Sequence, residues 1–360
     1  MLSSKTERIF HRCLLVPAVL LAMGPSALAG ALLGNGEYFV LGTGSDARGD
    51  GSEGNPWRTI THAVDQAGGG QPVIFVGPGT YDVAAGEQFP IQLDEDDDLG
   101  AILVGTGDYG ADAAIIDIST HYAAFTAYGL DSGTVVVTGF VGRGDSSGVL
   151  LSCSEMDFCV IAANELSGIG LLDAHMHEPG EYIVAGNTVQ GCDVGVEFYA
   201  HSTGGEGGID LLVIDNQFLN MGEGVYVEPY QASDTVSLHL EVLNNLFVDC
   251  STGVWVDSSM SETGVGYVNV KVRGNDFEDC GYGLWFSHDA YYHAQAQRLI
   301  TVQNNTIDAS YTAIGFSTSL STGCVLHQGI TVHGNEVRST DGCGIYQSLE
   351  LEYESAQVEQ

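Results

Sequence analysis

One asparagine recurs along this chain at a nearly constant interval, and that interval restricts what the chain can fold into. Asn164, Asn187, Asn216, Asn245, Asn275, Asn305 and Asn335 stand 23, 29, 29, 30, 30 and 30 residues apart, each followed two positions later by an apolar side chain. The frame reads VAGNTVQGCDVGVEFY, VIDNQFLNMGEGVYVEP, EVLNNLFVDCSTGVWVDS, VRGNDFEDCGYGLWFSHD, TVQNNTIDASYTAIGFS and TVHGNEVRSTDGCGIYQS. A period of this length identifies a repeat architecture before any single residue can.

Within each unit the residues before the asparagine alternate, as in Lys271-Val272-Arg273 and Thr301-Val302-Gln303, the period of a strand with one buried face. A second alternating run follows a glycine: Val225-Tyr226-Val227, Val254-Trp255-Val256, Leu284-Trp285-Phe286, Ile314-Gly315-Phe316. Such a unit cannot bury its own apolar face, but wound as a coil each turn covers the next. The expected fold is therefore an all-β solenoid, a parallel β-helix in which equivalent positions stack. The asparagines then form a ladder at a bend, amide to amide, with a structural rather than a catalytic role.

The segment 38–105 departs from the repeat. NPWRTITHAVDQAGGG places Ile60, Ala63, Val64 and Ala67 on one helical face and ends in a glycine run. A short amphipathic helix of this kind suits the open end of a coil, which would otherwise present unpaired strand edges. PVIFVGPGTY follows as a strand and turn, and then an acidic loop, DEDDD, at 94–98.

GTGSDARGDGSEGNPWRTITHAVDQA, FVGPGTY and GEQFPIQL together resemble the N-terminal domain of unknown function that opens many secreted bacterial right-handed parallel β-helix proteins. The later Asn-x-apolar and Gly-Val-x-Val units resemble the repeats of the pectate-lyase-like superfamily. The resemblance implies a right-handed coil and an extracellular setting, and fixes no reaction. The expected organisation is a signal peptide (1–29), an N-terminal cap with the first turns (30–135), the repeats (136–350) and an acidic tail (351–360).

Residues 1–29 read as a secretory leader: Lys5, Arg8 and Arg12, then CLLVPAVLLAM, then Ala27-Leu28-Ala29. A secreted protein, extracellular or periplasmic, is expected, and no segment is apolar for long enough to span a bilayer. Forty-seven acidic against ten basic side chains, a formal charge of −37, argue against nucleic acid as a partner. Acidic polysaccharides would be repelled too unless Ca²⁺ screened the two surfaces. Beyond the leader, Cys153 and Cys159 in CSEMDFC are the expected disulfide. Cys250 and Cys280, each five residues after a marker asparagine, are expected to stack as reduced thiols.

In a coil, the residue between two inward-facing apolar positions points outward. That column reads Glu197, Tyr226, Trp255, Trp285, Gly315 and Tyr346. Aromatic rings about 4.8 Å apart would form a flat ribbon for the apolar faces of an extended glycan, either a polysaccharide or a cell-surface glycan. The connections SSMSETGVGY and SHDAYYHAQAQ could instead fold back and bury the rings. Two residues further on, Glu228 and Asp257 should be neighbours on adjacent turns. Two close carboxylates raise one pKa, as a general acid needs, or hold Ca²⁺; no other cofactor is indicated. β-Helix glycosidases similar to these repeats use carboxylates from neighbouring turns, so glycoside hydrolysis is one reading. A non-catalytic structural or adhesive surface protein is the alternative.

A polysaccharide lyase is the third reading. It needs a basic residue, Arg or Lys in enzymes this chain resembles, and the column that offers one lies on another sheet: Leu243, Arg273, Gln303 and His333. Lys271 beneath Glu241 reads more simply as an ion pair between turns. SDARGDGSEGN reads either as a calcium loop or as a turn into the helix. His175 and His177 read as exposed residues of a connection, with nothing nearby to complete a metal site. Gln347 occupies an otherwise apolar position, and the coil is expected to end there.

Overall fold

The computed structural model describes residues 36–359 apart from 68–70, 94–99, 108–111, 120, 202–207, 232–234, 262–264, 322 and 352–356. The expected leader, the acidic loop 94–98 and most of the tail lie outside the described residues. The chain winds as a coil of parallel strands, three to a turn. Val265–Arg273 pairs in parallel with Thr235–Leu243 before it and Gln295–Gln303 after it. The stretch 276–278 pairs with Leu246–Val248, and the stretch 282–290 with Thr252–Met260. None of the described helices is long and apolar enough to cross a membrane.

The corners explain the asparagine frame. The residue just before each marker (Ala163, Gly186, Asp215, Asn244, Gly274, Asn304, Gly334) has φ between 54° and 68°. The residue four places after (Gly168, Gly191, Asn220, Asp249, Asp279) has φ between 53° and 69°. This left-handed region costs most side chains about 1 kcal/mol or more, and Gly, Asn and Asp least, which is why those three types crowd the turns. Between the two corners runs the ladder. The Asn245 Oδ1 accepts the backbone N–H and the Nδ2–H of Asn216 at 2.9 and 3.0 Å. The Asn245 Nδ2 in turn donates to the Val213 carbonyl at 2.9 Å and to Asn275 Oδ1 at 3.0 Å.

Inside the coil, the apolar residue two places after the asparagine stacks on its equivalents: Phe218, Phe247 and Phe277 lie 5.0 and 4.6 Å apart, ring over ring. That stack dictates the glycine opening the next strand. A Cβ at Gly253 would stand 2.5 Å from the Phe277 ring, so the motif Gly-Val-x-Val follows from the size of an interior phenylalanine.

The helix α1 (Ile60–Ala67) forms where the apolar periodicity places it, with Ile60 and Ala63 buried. Its N-terminus is held from outside. Asp46 Oδ1 accepts the N–H groups of Arg58 and Thr59 at 2.7 and 3.1 Å, and Glu87 accepts those of Ile60 and Thr61 at 2.7 and 2.9 Å. The Asp/Gly-rich stretch is thus a turn whose first carboxylate anchors the helix, satisfying donors that every helix start leaves open. Glu87, buried and remote in sequence, has no signature in the repeat pattern.

Cys153 and Cys159 are both buried, unbonded thiols, so the expected disulfide is absent. Both face the interior from one strand, Phe140–Ala162, where they pack as small apolar groups. Cys250 and Cys280 are likewise unbonded and buried. At the far end Gln357–Glu359 pairs with 325–327, so the winding continues one strand beyond the last legible repeat.

Candidate functional site

The face of interest is the outer side of the sheet formed by Val194–Ala200, Glu223–Gln231, Thr252–Met260 and their equivalents. Val254 and Val256 are buried and Trp255 between them is half-buried, as strand alternation requires. The expected column stands in register throughout. Glu197 lies beside Tyr226, Tyr226 beside Trp255, Trp255 beside Trp285, Trp285 beside Gly315, and Gly315 beside Tyr346. It extends towards the N-terminus through Asp173, Ser152 and Thr126.

The rings do not form a flat ribbon. Tyr226 meets Trp255 edge-on, with centroids 5.3 Å apart and planes at 82°. The Trp255 indole N–H reaches across to the next turn and donates to Ser287 Oγ at 3.1 Å. Trp285 leans over Gly315, where a Cβ would lie 2.2 Å from the indole, and stacks on Tyr346 at 6.0 Å and 13°. The absent side chain at Gly315 is what lets the indole lie down. Tyr282, edge-on to Trp285 at 5.5 Å, and Tyr311, 5.6 Å from Tyr282, widen the aromatic surface sideways. Neither belongs to the column read from the repeats, because both sit at the corner where the register shifts.

Much of the connections that could have buried this face belongs to strands, with a turn at 291–294. Residues 258–260 finish Thr252–Met260 and 265–267 begin Val265–Arg273; Ser287–Ala290 likewise completes a strand. Tyr226, Trp255 and Trp285 are half-buried by their neighbours in the sheet, and Tyr346 is 41% exposed.

Four acids of the face are each gripped by a hydroxyl. The Tyr199 OH donates to Glu197 at 2.6 Å, the Tyr226 OH to Glu228 at 2.8 Å, Ser287 Oγ to Asp257 at 2.6 Å, and the Tyr122 OH to Asp173. Glu228 and Asp257 occupy adjacent turns, bracketed by the pairs Val227–Val256 and Tyr230–Ser259.

Residues 128–295 match the family model described as a right handed beta helix region. The chain is a right-handed parallel β-helix. Residues 42–121, at the front of the β-helix, match the family described as a protein of unknown function (DUF1565). No curated protein matches. Among solved structures, the β-helix is similar to a complex of XylC with xylose, at 12% identity and a TM-score of 0.47, covering 82% of this chain and 70% of that one. It is similar to a rhamnogalacturonan lyase at 12% identity and a TM-score of 0.42, covering 90% and 87%. A lacto-N-biosidase from Eubacterium ramulus is similar at 9% identity and a TM-score of 0.31, covering 88% and 68%.

Two further carboxyls of the β-helix face carry raised pKa values. Burial, and then the charges of Glu197 and Asp257, push Glu223 above the usual 4.5. Burial and then Asp257 push Asp289 up from 3.8. Asp289 stands just after the outward column that holds Ser287, past the inward His288, whereas Glu223 opens its strand and is not visible in the column arithmetic. A carboxyl that holds its proton more tightly when folded contributes stability below pH 4.5, and that contribution is lost as pH rises through the folded value. Glu223→Gln is therefore expected to raise the unfolding free energy at pH 7, by about 1 kcal/mol or less after solvent screening, and to flatten its dependence on pH above 4.5. Denaturant unfolding across that range, with wild type beside the variant, measures it.

His175 is not in a connection. It belongs to the strand Glu165–Met176, in register with Tyr199, and stacks on that ring at 4.4 Å. His177 stacks at 4.4 Å on His201, a residue the sequence did not single out. Strand pairing of Ala200 with Met176 is what brings His201 there. Among the described residues no group of three or more ligating side chains converges as a metal site. The basic column Leu243, Arg273, Gln303 and His333 is in register on the neighbouring sheet, and Lys271 pairs with Glu241 at 2.7 Å. It shares no column with the aromatic face.

Proposed function

We propose that this protein is secreted and binds an extended, neutral polysaccharide along the outer face that carries Tyr226, Trp255, Trp285 and Tyr346. The observation behind this reading is the run of half-buried rings on successive turns, ending in the exposed Tyr346. Rings leaning over adjacent turns offer apolar faces to sugar rings, and the gripped carboxylates between them offer acceptors to sugar hydroxyls. Glu197, Glu228 and Asp257 repel an acidic chain, which favours a neutral one. A glycan array probed with the whole protein tests the reading, followed by affinity measurements on the tryptophan variants treated in the Discussion.

Hydrolysis is a second reading, favoured by Glu228 and Asp257 on adjacent turns beside two carboxyls whose pKa values are raised, Glu223 and Asp289. It expects Glu228→Gln and Asp257→Asn each to lower the cleavage rate of a bound polysaccharide at least ~100-fold with affinity retained. An active double variant rules it out and leaves the binding reading standing.

A further inference from the structure

The interior of the coil is apolar until its last turns, where it changes character at two facing positions at once. One inward column runs Ile209, Leu238, Val268, then Arg298 and Gln328. The other runs through Ser258, His288 and Thr318. Ten residues separate the members facing each other on a turn: Val268 follows Ser258, Arg298 follows His288, and Gln328 follows Thr318.

Arg298 is 1% exposed, and its Nε, Nη1 and Nη2 find no acceptor; Nε2 of Gln328 beside it is also buried without one. A guanidinium out of water with no acceptor costs several kcal/mol. Nothing on the interior columns offsets that with a negative charge. His288 cannot: the Ser258 hydroxyl donates to the Ser287 carbonyl at 3.0 Å and therefore accepts from His288 Nδ1 at 2.7 Å. The ring is neutral, because burial and then the Arg298 charge hold its pKa down to about 3, while Arg298, pushed down by burial to about 9, keeps its proton at pH 7. Beyond Thr318 and Gln328 the interior opens into a cavity of about 430 Å³, lined also by Gln347, Ser348 and Thr331, which leads towards the end of the coil. The cluster is rich in unpaired donors beside one unpaired acceptor, His288 Nε2, and carries a single positive charge that is buried.

We propose that Arg298 and Gln328 form a binding site for a small monovalent anion of the chloride class inside the C-terminal turns of the β-helix, entered through the cavity beyond Gln328. The anion accepts from the guanidinium and the Gln328 amide, neutralises the buried charge and holds together the turns least covered by others. The surface is strongly acidic, so the site is selective by enclosure, and anions in general are not attracted to the protein.

The test uses the full chain. The unfolding midpoint is followed as chloride replaces gluconate at fixed ionic strength, and chlorine NMR line width is read in parallel. Wild type is expected to gain about 2 °C or more and to broaden the chloride line. Arg298→Met should lose both responses and be no less stable in gluconate, because it removes an unpaired buried charge. If wild type responds to neither readout, the guanidinium is met by water or by the chain itself and the proposal is overturned. Equal responses in wild type and Arg298→Met overturn it as well. Should that variant not fold, Gln328→Leu decides by line width: weaker broadening than wild type supports the site, and broadening equal to wild type refutes it.

Discussion

Asn245→Ala is expected to cost this β-helix about 3–5 kcal/mol, a large part of the 5–15 kcal/mol that holds a typical domain together. The reason lies in the number of partners stranded at once. The backbone N–H and the Nδ2–H of Asn216 lose their shared acceptor, the Val213 carbonyl loses its donor, and Asn275 Oδ1 loses one of two donors. All of these lie where Asn245 is 2% exposed, so water cannot replace the missing groups without opening the turn. Each buried group left unpaired costs about 1–3 kcal/mol, and three such groups exceed what a methyl-sized side chain returns by relaxation. Asn335 provides the internal control. It receives the same two donors, from Asn305, but stands half-buried at the end of the ladder, and Asn335→Ala is expected to cost only about 1 kcal/mol. Because a solenoid couples mainly to nearest turns, hydrogen exchange of the amides around residues 216 and 275 should report the loss alongside urea unfolding. A penalty at Asn245 no larger than that at Asn335 would mean that the ladder is ornamental and that the interior stack alone sets the winding.

That ladder was legible because it obeys one number, the period. Anything that repeats with the turn can be read by stacking the sequence on itself: the column from Glu197 to Tyr346 and the ion pair of Lys271 with Glu241. What the period does not govern stayed hidden. The tilt of Trp285 depends on a side chain missing one turn later, at Gly315. Its neighbours Tyr282 and Tyr311 enter through a register shift at a corner. Glu87 reaches α1 from 26 residues or more away, outside the repeats. Arg298 did leave a trace, since strand parity puts it on the side of Ala296, Ile300 and Val302, but an alternation read from apolar residues passes over a charged one. His175 was misassigned because two nearby turn signals, Pro179 and Gly180, made the whole stretch look like a connection.

The second large effect concerns function. Replacing Trp255 and Trp285 together by alanine is expected to lower affinity for an extended neutral polysaccharide about 100-fold or more, since a buried aromatic anchor is worth about 2 kcal/mol or more in an interface. Folding should survive. Both side chains point away from the interior, which is filled at the same turns by Val254, Val256, Leu284 and Phe286. Tyr267→Ala is the matched control: Tyr267 is 47% exposed on the outside of the neighbouring sheet, and its removal should leave binding unchanged. A finer variant separates ring placement from ring presence. Gly315→Ala puts a methyl 2.2 Å from the Trp285 indole, so the indole must lift from the sheet and leave Tyr346, and affinity should fall with every aromatic still present. Calorimetric titration with the array's strongest ligand distinguishes the cases. Equal binding by wild type and the double tryptophan variant would detach the glycan from this face, and an equal loss in Tyr267→Ala would point to non-specific adsorption. If binding falls in the double variant and in Gly315→Ala but not in Tyr267→Ala, recognition depends on how the rings lie across neighbouring turns as well as on how many there are.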